Sequence, residues 1–192
     1  MATRTVYQTL ENKGTPNSIE NDGPFPCNRK NAWLGQGYYF WESFIENAHW
    51  WGSECNNYAN GYVICRAFYT ESEEKCFNLI DNPNHFRMFN QTIDLMEANG
   101  LYQRNKTTVS RIIEYLRNTL HIFSFEATRV YGVNSKSLKS DYSKVTIFSL
   151  NQAHSYLDSL PAIQICFYTK KSLNLNSYKI VYPDEYIDGY MV

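Results

Sequence analysis

The first regular pattern along the chain is an alternation over residues 5–10. There Val6, Gln8 and Leu10 interleave with Thr5, Tyr7 and Thr9, which predicts a strand. Residues 11–31 break the pattern with three prolines, two glycines and five asparagines, the composition of a long loop. Loops of that length inside a compact domain are often functional. Residues 33–42 then gather five aromatic side chains and two glycines into ten positions, and 38–41 predict a short strand. Ser43, with Glu46 three positions on, has capping-box spacing, so a helix is expected from Ser43 with Ile45, Ala48 and Trp51 on one face. Gly35 and Gly37 let the backbone turn tightly, or approach a ligand closely, just before the aromatic strand.

Further on, residues 61–70 and 75–80 predict two strands. A helix follows from about residue 85, with Phe86, Phe89, Ile93 and Met96 on one face and Asn99-Gly100 as its stop. A second helix over 108–120 presents Val109, Ile112, Ile113, Leu116 and Leu120, so the two are expected to pack as an antiparallel pair on a sheet. Residues 123–131 alternate as a strand, 136–144 form a mildly basic loop, and 151–160 fit either a short helix or a structured loop. A buried strand over 162–169 and a last one over 178–182 complete the pattern. Strands are broken by helices without regular βαβ alternation, which predicts an α+β fold, and 192 residues suit one domain over 1–192.

Composition narrows the function classes. Hydrophobic residues make up 43% and charged residues 19%, as in a folded soluble domain. A net charge of −1 gives no electrostatic footprint for nucleic acid over the whole chain. The five cysteines are irregularly spaced with no Cys-x-x-Cys pair, and the four histidines lack metal-ligand spacing, so no metal site is expected. The N-terminus has no apolar signal region and no run is long enough to span a bilayer, so a reduced, cytoplasmic protein away from the membrane is expected. Gly35-Gln36-Gly37 lacks a third glycine and precedes a strand, the wrong context for a Rossmann turn.

The run Gly35-Gln36-Gly37-Tyr38-Tyr39-Phe40-Trp41, followed by Ala48 and Trp51, resembles the second motif of the ADP-ribosyltransferase-like fold. The resemblance implies two small antiparallel sheets forming a split core with flanking helices, and NAD as substrate. It implies that Tyr39 stacks on nicotinamide, with Gly37 close by. Core packing is the alternative for these aromatics. Adjacent Tyr38 and Tyr39 point to opposite faces of a strand, however, so one can line a cleft while the other is buried. In the first motif, Gln8 stands where the family carries a His or Arg that contacts a ribose, and Thr9 replaces a glycine that grips the nicotinamide amide. In the third, Gln164 in Ile163-Gln164-Ile165-Cys166 stands where a Glu usually bonds the ribose 2′-hydroxyl.

Both glutamines are neutral, whereas cleavage of the nicotinamide–ribose bond develops positive charge that an anion would stabilise. Two carboxylates are therefore candidates for catalysis beside Gln164. Glu42 ends the aromatic strand, and Glu126 alternates with Phe125 toward a possible cleft. Their structural alternatives are a first-turn helix charge for Glu42 and a lysine-paired surface residue for Glu126. Arg66 is a candidate for a pyrophosphate, with an exposed strand arginine as its alternative. The function the resemblance implies is transfer of ADP-ribose from NAD to a macromolecular acceptor, protein or nucleic acid. Bacterial proteins of this kind resemble toxins or phage-defence effectors with a neutralising protein partner. The rivals are an inactive NAD- or ADP-ribose-binding module of the same fold, an RNA 2′-phosphotransferase-like enzyme, and an interaction protein whose aromatics are only core.

Overall fold

A computed structural model describes residues 3–56, 58–132, 145–150, 155–173 and 175–187. Strand β1 (Thr3–Glu11) pairs with β3 (Tyr62–Thr70) along its whole length, and β3 pairs with β9 (Asn176–Tyr182), all antiparallel. On its other side β1 meets β2 (Tyr38–Glu42) at only two positions, Val6↔Glu42 and Tyr7↔Trp41. Strand β2 then pairs with β8 (Ile163–Phe167), β8 with β5 (Ala127–Tyr131), and β5 in parallel with β4 (Cys76–Leu79). The result is one seven-stranded mixed sheet in the order β4-β5-β8-β2-β1-β3-β9. A separate two-stranded hairpin joins β6 (Val145–Ile147) to β7 (Tyr156–Asp158). The architecture is α+β. The expected pair of small antiparallel sheets is replaced by this one large sheet, whose two halves meet at the narrow β1–β2 seam.

Two helical layers cover one face of the sheet. Helices α3 (Pro83–Ala98) and α4 (Val109–Asn118) bury Met96, Ile112 and Leu116 against Phe77 and Leu79 of β4. Asn82 caps α3 by accepting from the N–H groups of Asn84 and His85, with Pro83 at the first helical position. Thr108 caps α4 through the N–H of Arg111. Of the apolar face predicted for α3, Phe86 is exposed while Phe89 and Ile93 pack inward. At the other end, α2 (Ile45–Trp50) sets Ala48 and Trp50 against Trp41 and Ile64. The opposite face carries a core of Val6, Phe40, Ala67, Ile165 and Phe167.

Several expectations are corrected by local chemistry. The capping box at Ser43 does not form. The Ser43 N–H extends the β1–β2 ladder to the Thr5 carbonyl at 2.9 Å, and Ser43 itself adopts a φ of 67°. The helix therefore starts at Ile45, behind Phe44, with no side-chain cap. Inside the expected loop lies a short helix, α1 (Pro16–Asp22), opened by a capping box between Thr15 and Ser18 and anchored by buried Ile19. Residues 123–126 are not strand, because Phe123 and Phe125 fold onto Phe77 with ring centroids 5.4 and 5.0 Å away. The basic stretch 136–144 lies outside the described residues, as do 151–154, and residues 156–158 form a strand rather than a helix.

Glu42, Arg129 and Arg4 meet on the sheet face opposite α2, α3 and α4. The registers place Phe40, Ile165, Arg129 and Asn78 in one row across β2, β8, β5 and β4, with Glu42 two residues along on the same side. Glu42 is 1% exposed and takes two 2.8 Å bonds from Arg129, one from Nε and one from Nη2, with a third from Arg4 Nη1 at 2.9 Å. The carboxylate is thus a structural counter-ion, not a first-turn helix charge.

Glu42→Gln leaves the Arg129 guanidinium buried without its anion and should lower unfolding free energy by about 3 kcal/mol, read from urea denaturation. A second prediction concerns pH. Burial holds His85 below the usual histidine value, and the Asn78 N–H donates to its Nδ1 at 2.9 Å, which requires that nitrogen to be bare. Burial lowers His49 as well. In both cases the unfolded imidazole binds the proton more readily. Their contribution is therefore complete above about pH 6.5 and is lost as pH falls below it. The urea midpoint should drop between pH 7.5 and 5.5, and His85→Gln should flatten that slope.

Candidate functional site

Past Tyr7↔Trp41 the strands β1 and β2 part, and a cavity of about 330 Å³ opens in the gap. Gln8, Thr9, Leu10 and Glu11 line one side. Tyr39, Phe40 and Trp41 of β2, with Gln164 of β8, line the other. The segment between α1 and β2 closes over it through Phe25, Cys27, Arg29 and Trp33, while Trp51 and Tyr58 complete the wall. The three motif positions expected from the sequence, Gln8, Tyr39 and Gln164, therefore border one space.

Gln8 borders it without being free. Its Nε2 donates to the Phe25 carbonyl at 2.8 Å and to the Tyr39 carbonyl at 3.4 Å. Its Oε1 accepts from the Phe25 N–H at 3.0 Å and the Tyr178 hydroxyl at 2.8 Å. Two donor and two acceptor bonds saturate a primary amide. Gln8 is a buckle that ties the covering loop to the parted strands, not an open ribose ligand. Thr9 also has a structural bond, its hydroxyl donating to the Ala48 carbonyl at 2.8 Å and fixing α2 to β1.

Tyr39 presents a half-buried ring whose hydroxyl donates to the Gly35 carbonyl at 2.6 Å and accepts from the Leu34 N–H at 2.8 Å. Burial pushes its phenol far above the usual range, so the hydroxyl is an anchor and not an acid or base. Its neighbour Cys166 is likewise pushed up to about 12 by burial and stays a thiol. Gly37 is not on the cavity wall. It bridges to Cys27, and a Cβ there would lie 2.5 Å from the Phe167 carbonyl oxygen, so only glycine lets the loop cross β8 so closely.

Gln164 is different. It is 4% exposed, sits opposite Trp41 in the register, and its Oε1 is buried with no hydrogen-bond partner. A buried acceptor without a donor costs free energy on the order of 1–3 kcal/mol. Gly132 packs against it, and a Cβ there would lie 3.1 Å from the Gln164 Cβ, so the side chain has little room to turn away.

The two carboxylates nominated from sequence are not brought to the cavity. Glu42 is locked with Arg129 on the other face of the sheet, and Glu126 is a half-buried residue paired with Lys75 at 3.0 Å. Arg66 is exposed and lies over the Phe68 ring at 5.4 Å. Among the described residues the charged ones that do line the cavity are Glu11 and Arg29, neither of them a candidate from the sequence. Both fall in the stretch read only as a loop; its length was the one signal available. Trp51 reaches the wall because α2 passes into a π-helical turn over Trp51–Cys55, where Gly52 fits flush against the Tyr62 ring. Trp51 then meets Trp33 edge-on at 5.5 Å and Trp41 at 5.9 Å. His49 is half-buried with Nδ1 3.0 Å from the Tyr62 hydroxyl.

Among the described residues no group of three or more His, Cys, Asp or Glu is arranged to hold a metal ion, and no helix is long and apolar enough to cross a membrane. The five cysteines form no disulfide. Comparison with protein-family models, with curated proteins and with solved structures returns no match.

Tyr39→Phe keeps the ring and removes both loop bonds. Unfolding free energy should fall by about 1–2 kcal/mol in urea melts. Gln8→Leu should cost more, since it strands both backbone groups of Phe25 and the Tyr178 hydroxyl.

Proposed function

We propose that the cavity between β1 and β2 binds NAD and that the chain transfers ADP-ribose from it to a macromolecular acceptor. The observation that carries this reading is Gln164, a residue of the cavity lining whose buried Oε1 has no donor, in an aromatic cavity that Gln8 and Tyr39 also border. A ribose hydroxyl supplies the missing donor. The Tyr39 ring, fixed at its hydroxyl by Leu34 and Gly35, offers the flat surface for nicotinamide.

In the transfer, the bond between the nicotinamide nitrogen and the ribose carbon breaks, and nicotinamide leaves as a neutral molecule with the bonding electrons. An acceptor oxygen or nitrogen then bonds the ribose carbon and releases its proton. Gln164 contributes orientation and the negative end of an amide dipole, which stabilises the developing cation less than a carboxylate would. A second reading follows from the positions of Glu42 and Glu126: a module that binds NAD or ADP-ribose without turnover. An RNA 2′-phosphotransferase is disfavoured, because among the described residues lining the cavity Arg29 is the one Lys or Arg.

Incubation of the purified chain with NAD, with free nicotinamide quantified and binding followed by calorimetry, separates these readings. Nicotinamide release supports transfer, binding alone supports the module, and the absence of both sinks the NAD reading. Gln164→Ala should weaken NAD by about tenfold while raising stability or leaving it unchanged, since it removes an unsatisfied buried acceptor.

A further inference from the structure

We infer that Arg29 forms an anion subsite at the mouth of the cavity and that it discriminates phosphorylated ligands from their uncharged-linker counterparts. The inference rests on the reading that the cavity takes a nicotinamide dinucleotide, and adds which part of it the protein holds by charge. Among the described residues two charged ones line the cavity, and they differ in how they are matched. Glu11 has a lysine partner, Lys13, at 2.6 Å. Arg29 has no carboxylate within ion-pair distance among the described residues. Its Nη1 donates instead to the neutral Oδ1 of Asn56 at 3.0 Å. The guanidinium is thus oriented by an amide that leaves its charge uncompensated.

A guanidinium carries five donors and matches the spacing of phosphate oxygens, so one bond to Asn56 leaves most of its fork available. Its field reaches the wall itself, where Arg29 pulls the Tyr58 phenol down while burial, the larger effect, pushes it up. Gln164 in the lining and Arg29, exposed beside it, then divide the ligand by chemistry. The buried acceptor takes a hydroxyl donor, and the exposed cation takes a diphosphate. Arg29 stands in the loop that Gln8 buckles to β1 through Phe25, so the subsite is held relative to the parted strands.

The test is calorimetric binding of NAD, ADP-ribose and nicotinamide riboside to the full chain and to R29Q, R29K and N56D. Arg29 is exposed and its bond to Asn56 is a surface one, so thermal melts of R29Q should match the parent. The expected result is that R29Q weakens NAD and ADP-ribose by about tenfold or more, while the riboside, which has no phosphate and is itself a cation, binds as well or better. R29K should recover part of the loss. N56D keeps the arginine but places a carboxylate against it, and should weaken the same two ligands.

Equal weakening of all three ligands by R29Q, or none, overturns the subsite. NAD bound equally by the parent and R29Q upholds the dinucleotide reading and removes Arg29 from it. ADP-ribose bound in an Arg29-dependent way, with no binding of NAD or the riboside, upholds the subsite and removes nicotinamide. Absence of binding for all three ligands to the parent overturns both.

Discussion

The site depends on where two strands stop pairing. β1 follows β3 over nine register pairs, but holds β2 through only Val6↔Glu42 and Tyr7↔Trp41. Backbone groups released by such a parting must find other partners or water. Gln8 supplies one solution: its amide reaches the Tyr39 carbonyl on β2 and both backbone groups of Phe25 in the covering loop. The gap is wedged open and roofed by the same side chain. Without that buckle, the two half-sheets could close toward each other or the loop could lift away, and in either case the cavity wall is lost.

The sheet also separates two kinds of polar chemistry by face. On one side, Glu42, Arg129 and Arg4 form an ion cluster on the face of Phe40 and Ile165, and every charge in it has an opposite neighbour. On the other, Trp41 and Gln164 share a register position, and the polar atom left there is a lone amide oxygen. The alternation of β2 is what sorts them: Trp41 shares its face with Gln164, while Glu42 lies on the opposite face with Arg129. Carboxylates near the site in sequence are therefore remote from it in chemistry.

That sorting explains how much the sequence could disclose. The alternating strands, the paired helices α3 and α4, and the meeting of residues 8, 39 and 164 were legible, because each rests on periodicity or on the order of motifs along the chain. The roles of Gln8 and Glu42 were not. A glutamine that saturates its amide on a loop 17 residues away, and a glutamate neutralised by an arginine 87 residues away, leave no local signature. Ser43 failed for a related reason: its spacing to Glu46 satisfied a local rule, but a ladder bond to Thr5 claimed its backbone first. Arg29 and Trp33 were hidden by the loop that bears them, whose conformation is set by Gln8, Gly37 and the helix α1 rather than by any period of its own.

The four tryptophans of the chain form one connected group of rings: Trp33 against Trp51, Trp51 against Trp41 and Trp50, and Trp41 against Trp50, at centroid separations of 5.5 to 6.1 Å. Three of them border the cavity, and none belongs to the core that α3 and α4 form against β4. Light absorbed by any indole can pass between neighbours this close, so the chain's ultraviolet emission behaves as that of a single chromophore seated beside the gap. The protein carries a built-in optical gauge of that gap, and it is blind to events at the far end of the molecule.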